Sequence, residues 1–283
     1  MELTWNNLFI FGRERLKEVG ISGSAKESKK ILAFVTNNEY SDLNWVHEFK
    51  ISKELILKFN TLIEQRVSGE PVSKIIGKKL FFNSEFFVNE NVLDPRPETE
   101  AVVLVALEEN FSTLLDLGTG TGCILISLLK ERPNAVGVSV DISKECLTVA
   151  KINAKTNGVL DRVEFTQSDW FSNVNSKFDL IVSNPPYIGL SELDGLSREV
   201  KNFDPKVALF GGEDGLNCYK AIFNDVIHFL NPGGRFITEV GFAQSAIVKK
   251  LFFNSGFTDI KVTKDLNHIN RVVSGRLLPW YSF

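Results

Sequence analysis

Cysteine and histidine are scarce in this chain of 283 residues, three of each. Cys123, Cys146 and Cys218 lie far apart, form no C-x-x-C pair and have no histidine cluster beside them, which argues against a zinc site and a disulfide scaffold. Reduced thiols and no metal are expected, and His47, His228 and His268 read as surface or core residues. Long apolar runs are missing too. No stretch approaches the roughly 20 residues needed to cross a bilayer, and the opening Met1-Glu2-Leu3-Thr4-Trp5-Asn6 lacks a basic region followed by an apolar one. The chain is therefore expected in the cytoplasm, away from membranes. Nor is there a surplus of positive charge. Lys and Arg number 32 against 35 Asp and Glu, a formal net charge of −3, whereas a dedicated nucleic-acid binder carries excess base to neutralise phosphates. Neither the first 88 residues nor the remainder forms a basic module, and no direct nucleic-acid partner is expected.

What is present is an ordinary globular composition, 43% hydrophobic and 24% charged, in a chain long enough for one large domain and one small one. The first 78 residues read as helices. Trp5, Leu8, Phe9, Leu16 and Val19 fall on one face at three- and four-residue spacings. Ser24 with Glu27 has the form of a capping box ahead of Ile31, Leu32 and Val35. Leu55, Ile56, Phe59, Leu62 and Ile63 repeat the pattern behind Ser52 until Gly69-Glu70-Pro71 interrupts it. A small bundle with an aromatic core follows from these spacings. Residues 79–95 become Phe-rich around Asn83-Ser84, which predicts a β-hairpin linker. Pro95-Arg96-Pro97 then holds the backbone extended, and a helix is expected from Thr99 to Glu109.

Past residue 110, short apolar runs alternate with helical stretches: Thr113 to Leu117, Cys123 to Lys130, Val136 to Val140, Ser143 to Thr156, Val163 to Thr166 and Leu180 to Ser183. A further strand, Arg235 to Val240, follows a Pro232-Gly233-Gly234 turn. This alternation predicts an α/β domain, a parallel sheet covered by helices. Asp259 to Thr263 and Arg271 to Leu277 leave no room for a crossover helix between them, so an antiparallel pair should close the sheet edge.

Four segments carry chemistry. Gly118-Thr119-Gly120-Thr121-Gly122 lies where the first strand of the series turns into a helix, a place where glycines let backbone approach a ligand. Its G-x-G-x-G spacing differs from the dinucleotide fingerprint, and it lacks the lysine of a triphosphate loop; S-adenosylmethionine, which has no phosphates, fits such a loop. Asp141 ends the next strand, where a carboxylate accepts hydrogen bonds from ribose hydroxyls, although an Asp there also suits a helix cap. Asp169-Trp170 follows the third strand, placed for the adenine amine and ring. Asn184-Pro185-Pro186-Tyr187 closes the apolar strand Leu180-Ile181-Val182-Ser183 and is the most informative. A primary amide nitrogen is a poor nucleophile because its lone pair is delocalised into the carbonyl, so it must be held in line with the methyl group. The Asn184 side-chain oxygen and the Pro185 carbonyl can accept its two N–H bonds and favour the charge that builds on nitrogen. Pro185 and Pro186 together fix the backbone, and Tyr187 can pack on the flat acceptor. Each residue alone has a plainer use as a turn or cap; their order along successive strands does not.

These segments, together with Gly69-Glu70-Pro71-Val72, Pro95-Arg96-Pro97-Glu98-Thr99-Glu100, Ala208-Leu209-Phe210-Gly211-Gly212 and Asn231-Pro232-Gly233-Gly234, resemble the bacterial release factor glutamine methyltransferases, the PrmC or HemK family. The resemblance implies a seven-stranded class I methyltransferase sheet of Rossmann-like type in residues 96–283 and a helical domain in 1–78 that binds the release factor. It also implies a monomer that uses S-adenosylmethionine and releases S-adenosylhomocysteine. Carried over by position, Gly118 to Gly122, Asp141, Trp170 and Asn184 contact the cofactor, and Asn184 to Tyr187 contact the glutamine of a Gly-Gly-Gln loop. Asp94, where an apolar residue is expected, and His268, in place of a glycine, depart from the pattern. Two related substrates stay open at this point: a glutamine of a large-subunit ribosomal protein, and the exocyclic amine of a nucleobase, which presents the same flat N–H geometry. A non-catalytic cofactor-binding protein is the reading furthest from the motif.

Overall fold

The structure is a computed structural model that describes residues 4–38 and 51–278, which leaves His47 outside the described part. Helix α1 (Trp5–Glu18) begins at Thr4, whose side chain accepts the Asn7 backbone N–H at 3.3 Å while the Asn7 side chain accepts that of Thr4 at 3.0 Å. This reciprocal pair satisfies two amides that the first helical turn leaves open. Helix α2 (Ser24–Thr36) begins without the expected capping box: Gly23 is the cap, and Ser24 is buried as the first helical residue. Glu27 turns instead to Arg66, accepting from its Nε at 2.5 Å. Ser52 does cap α3 (Lys53–Val67), accepting the Leu55 N–H at 3.2 Å. Helix α4 (Val72–Ile76) ends at Gly77. Leu8, Leu16, Ile31, Leu32, Val35, Phe59 and Ile63 form the core of these helices, with Trp5 and Phe9 packed against it. Val19 does not join them; it caps α1 and stays exposed.

Strands β1 (Lys78–Phe81) and β2 (Ser84–Phe87) form a hairpin. Phe82 and Asn83 at its tip both have positive φ, +43° and +60°, as a two-residue turn that follows the strand twist requires. The pairing is shorter than expected, and residues 88–95 continue as irregular chain that buries Val88 and Val92. The rest alternates: α5 (Glu100–Leu107), β3 (Thr113–Leu117), α6 (Cys123–Glu131), β4 (Val136–Asp141), α7 (Lys144–Thr156), β5 (Val163–Gln167), β6 (Phe178–Ser183), α8 (Arg198–Phe203), α9 (Asn217–Asp225), β7 (Leu230–Glu239), α10 (Ser245–Asn254), β8 (Phe257–Lys264) and β9 (Asn270–Leu277), with helices α8, α9 and α10 added to the elements the periodicity predicts. The seven strands from β3 onward form one sheet in the order β5-β4-β3-β6-β7-β9-β8. β3 to β7 are parallel, and β9 runs antiparallel between β7 and β8. The expected seven-stranded sheet with an antiparallel edge is therefore present. Pro232-Gly233-Gly234 is not a turn ahead of β7 but a part of it, taken up where the register against β6 shifts between Phe178 and Leu180.

Both faces of this sheet are buried, which explains the continuous apolar runs. Leu114, Leu180, Val182, Ile237 and Val272 point to one face, against α5, α6 and α7. Their neighbours Leu115, Ile181, Phe236 and Val273 point to the other, against α9 and α10. The chain divides into two compact units. One runs to Gly77 and takes in Ser197–Phe203; the other comprises Lys78–Leu196 and the chain from Asp204 onward. Within the first, Arg66 donates to Glu199 of α8 at 2.5 Å as well as to Glu27, and Lys74 donates to the Phe203 carbonyl.

Within the second unit, fully buried Asn153 of α7 binds the hairpin to the sheet. Its Oδ1 accepts the Phe87 N–H at 2.7 Å, and its Nδ2 donates to the carbonyls of Phe87 at 3.0 Å and Thr121 at 2.9 Å. Asn153→Leu keeps the volume and leaves these three backbone groups without their partner. It should lower stability by about 2–3 kcal/mol, read as a lower urea midpoint at unchanged slope.

Candidate active site

The strand order reverses between β3 and β6, and the loops leaving their carboxyl ends border the crevice that such a switch creates. Leu117 pairs with Ser183, and the Ser183 hydroxyl donates to the Leu117 carbonyl at 2.8 Å. The glycine loop and Asn184 thus start from adjacent positions. In the loop, Gly120 has φ +54° and a Cβ there would meet nothing within 4 Å, so left-handed backbone faces open space. At Gly122 the demand is packing, since a Cβ would lie 2.9 Å from Ile126 Cδ1 and 3.2 Å from Ala150 Cβ. Thr119 and Thr121 are buried. The Thr119 hydroxyl turns inward to Asp116 Oδ2 at 2.7 Å, which leaves backbone rather than hydroxyls as the loop's exposed polar groups.

Asp116, two residues ahead of the glycine loop, is fully buried near the end of β3. Its Oδ1 makes no hydrogen bond of good geometry among the described residues. Burial pushes its carboxyl up to about 7, with the nearby Asp141 charge adding to the rise and the Thr119 hydroxyl and the more weakly placed Leu125 backbone N–H opposing it. Asp141 accepts the Gly120 N–H on Oδ2 at 2.9 Å and the Ser143 N–H on Oδ1 at 3.0 Å, which ties the glycine loop to the end of β4. Burial raises its pKa, and those amides oppose the rise. Ser143 supplies the cap of α7, accepting from the Cys146 N–H at 3.1 Å, so Asp141 is not needed for that task. Trp170 has φ +48° and carries its Cζ3 atom to 3.8 Å from the point where a Gly118 Cβ would stand, while Asp169 beside it is exposed.

Asn184 follows β6 directly. Its Nδ2 lies 3.2 Å from Thr99 Oγ1, Thr99 donates to Glu239 Oε2 at 2.6 Å, and the Tyr187 hydroxyl donates to Glu239 Oε1 at 3.1 Å. Glu239 ends β7 and is fully buried; burial pushes it up to about 7, opposed by Thr99, the Arg271 charge and Tyr187. Burial and the Glu239 charge together raise the Tyr187 phenol, which stays protonated as a donor. The backbone of the motif is held from behind. Ile188 N–H donates to Leu209 at 3.0 Å, Gly211 N–H donates to Ile188 at 3.0 Å, and Gln244 Nε2 donates to the Tyr187 carbonyl at 2.8 Å. A Cβ at Gly211 would lie 2.6 Å from the Pro186 carbonyl oxygen and 2.9 Å from Tyr187 Cα, so only glycine fits there. Arg96 pairs with the buried carboxylate of Asp204, fixing the extended chain that delivers Thr99. The structure therefore gathers Asn184, Tyr187 and the glycine loop, and adds Thr99, Glu239 and Asp116. The available signal was a charged residue closing an apolar strand, Phe236-Ile237-Thr238-Glu239. Of the two departures, Asp94 is buried and paired with Lys79 at 3.2 Å, and His268 has φ +61°, the left-handed backbone that favours glycine.

Over 263 residues the chain is 41% identical to the release factor glutamine methyltransferase of Cereibacter sphaeroides, spanning 93% of this chain and 95% of that one. The chain belongs to the release factor glutamine methyltransferase family. A second member, from Caulobacter vibrioides, is 39% identical over 280 residues and matched over 97% of both chains. The PrmC N-terminal domain family matches residues 7–77, and the methyltransferase small domain family matches residues 96–194. Among solved structures, a methyltransferase from Pyrococcus furiosus shares the fold at a TM-score of 0.55 and 16% identity, covering 77% of this chain and 98% of that one.

In this methyltransferase Asp116 should cost stability when ionised. Because its folded pKa is raised to about 7, the folded chain holds a proton that the unfolded chain has lost above about pH 4. Its contribution is therefore favourable at low pH and disappears as pH rises through 7. Asp116→Asn should melt a few degrees above the parent at pH 8 and level with it at pH 4, in thermal denaturation without cofactor.

Proposed function

We propose that this protein transfers a methyl group from S-adenosylmethionine to the side-chain amide nitrogen of the glutamine in the Gly-Gly-Gln loop of peptide chain release factors. The observation that carries this reading is the placement of Asn184, in a chain of this family, beside the glycine loop and with its amide nitrogen already committed to Thr99. The residues fit the cofactor. Asp116 has an unpartnered buried oxygen suited to a cationic ammonium group, Gly120 opens space for close approach, and Asp141 keeps acceptor capacity for ribose hydroxyls beyond its two amide bonds. Trp170 borders the loop at Gly118 and offers an aromatic face on which an adenine ring could stack.

When bound, S-adenosylmethionine supplies a methyl group activated by a sulfonium. Asn184 Oδ1 and the Pro185 carbonyl accept the two N–H bonds of the glutamine amide. Held that way, the nitrogen lone pair is aimed at the methyl and the positive charge that grows on the nitrogen is favoured; as the N–C bond forms the C–S bond breaks, and one N–H proton is released. Tyr187, held by Glu239, supports the flat amide from the side. A protein acceptor agrees with Phe242 and Leu266, which are 72% and 89% exposed on loops at the same end of the sheet as Asn184. No described helix is long and apolar enough to cross a membrane, and we place the reaction in the cytoplasm, with the helical unit contributing to release factor binding.

The test is transfer of labelled methyl to unmodified release factor, ribosomal proteins and DNA in parallel, with the modified residue located by mass spectrometry. Label is expected on the Gly-Gly-Gln glutamine; label confined to a ribosomal protein or DNA would overturn the substrate. Asn184→Ala should reduce the rate by about a hundredfold or more. Asp141→Ala should weaken cofactor binding in calorimetry by about 1–3 kcal/mol.

A further inference from the structure

We infer that Thr99 and Glu239 are positioning residues that fix which way the Asn184 amide faces, and thereby select an N–H donor as the methyl acceptor. The inference rests on the amide methylation proposed above and concerns two side chains that stand behind the motif.

Glu239 receives one hydroxyl on each carboxylate oxygen, Thr99 at 2.6 Å and Tyr187 at 3.1 Å. Ionised, it has no proton of its own to give, so both hydroxyls must donate. Thr99 has a single proton, now spent on Glu239, and only lone pairs remain for Asn184 at 3.2 Å. The group that Asn184 turns to Thr99 is then its NH2, and Oδ1 is left facing away as an acceptor. A flipped amide would set oxygen against oxygen at Thr99. It would also offer N–H to the substrate, where N–H would bind the carbonyl oxygen of a glutamine and repel its NH2. Amide oxygen is the more electron-rich atom of that group, so the orientation of Asn184 decides whether nitrogen or oxygen faces the methyl donor. The device is rigid because its parts come from three places: Thr99 before α5, Asn184 and Tyr187 after β6, and Glu239 at the end of β7, whose carbonyl also accepts from Tyr219 at 2.9 Å.

Three variants test this on the whole chain at pH 8, above the value of about 7 to which burial lifts Glu239. Thr99→Val keeps the shape and removes the acceptor. Glu239→Gln keeps the shape and places an NH2 where one hydroxyl must donate, releasing the order of the chain. With release factor as substrate, kcat should fall about tenfold to a hundredfold in each. The KM for release factor and the calorimetric Kd for S-adenosylmethionine should change by no more than about twofold, an effect of less than 0.5 kcal/mol. Thr99→Ser, which restores the hydroxyl, should recover most of the rate. Unchanged kcat in Thr99→Val, or equal loss in Thr99→Ser and Thr99→Val, would overturn the inference. Should the wild-type enzyme label a different N–H acceptor in the parallel assay, the same variants are measured on it. A loss of kcat there would sustain the positioning role while removing the release factor as substrate.

Discussion

The pairing of β3 with β6 is the constraint on which the active end depends. Leu117 beside Ser183 places the start of the glycine loop next to the start of the Asn-Pro-Pro-Tyr segment, and the Ser183 hydroxyl on the Leu117 carbonyl extends that pairing to the last residue of both strands. A register slip of one residue would turn Leu115, Leu117 and Ile181 to the wrong face. It would also carry Asp116 out of the crevice. The burial of both sheet faces therefore specifies the site as much as it stabilises the fold, because the same alternation that fills two cores aims the loop residues.

Three carboxylates, Asp116, Asp141 and Glu239, are buried at this end of the sheet, and burial raises the pKa of each. Removing carboxylates from water opposes folding unless hydrogen bonds offset it. Their partners are unequal. Asp141 is held by two backbone amides and Glu239 by two hydroxyls, whereas Asp116 keeps one oxygen without a partner among the described residues. The least satisfied group lies beside the loop that faces open space.

Much of this was legible in the sequence, and the misses share a cause. Strands such as Thr113–Leu117 and helices such as Cys123–Glu131 were readable because burial leaves short continuous apolar runs between turns. Asn184 and the glycine loop were readable because their chemistry resides in adjacent residues. Ser24 looked like a cap because Glu27 stands three residues on, but the carboxylate that would close the box is drawn to Arg66, 39 residues away. Pro232-Gly233-Gly234 looked like a turn and is absorbed into β7 as a register shift. Thr99 meets Glu239 across 140 residues of chain, and no local pattern announces that pair. Nor does periodicity indicate that Ser197–Phe203 leaves the sheet-bearing unit to join the helices.

That excursion bears on how the chain matures. The helices up to Gly77 are made before the sheet, yet Arg66 finds Glu199 only 133 residues later, and the carbonyl that Lys74 uses belongs to Phe203. At ordinary synthesis rates this is a delay on the order of ten seconds. Through that interval Arg66 lacks its second acidic partner. The helical part is thus completed after much of the sheet has been made, by α8, which follows the Asn-Pro-Pro-Tyr segment. A finished helical unit consequently reports that the strand bearing Asn184 has already been made.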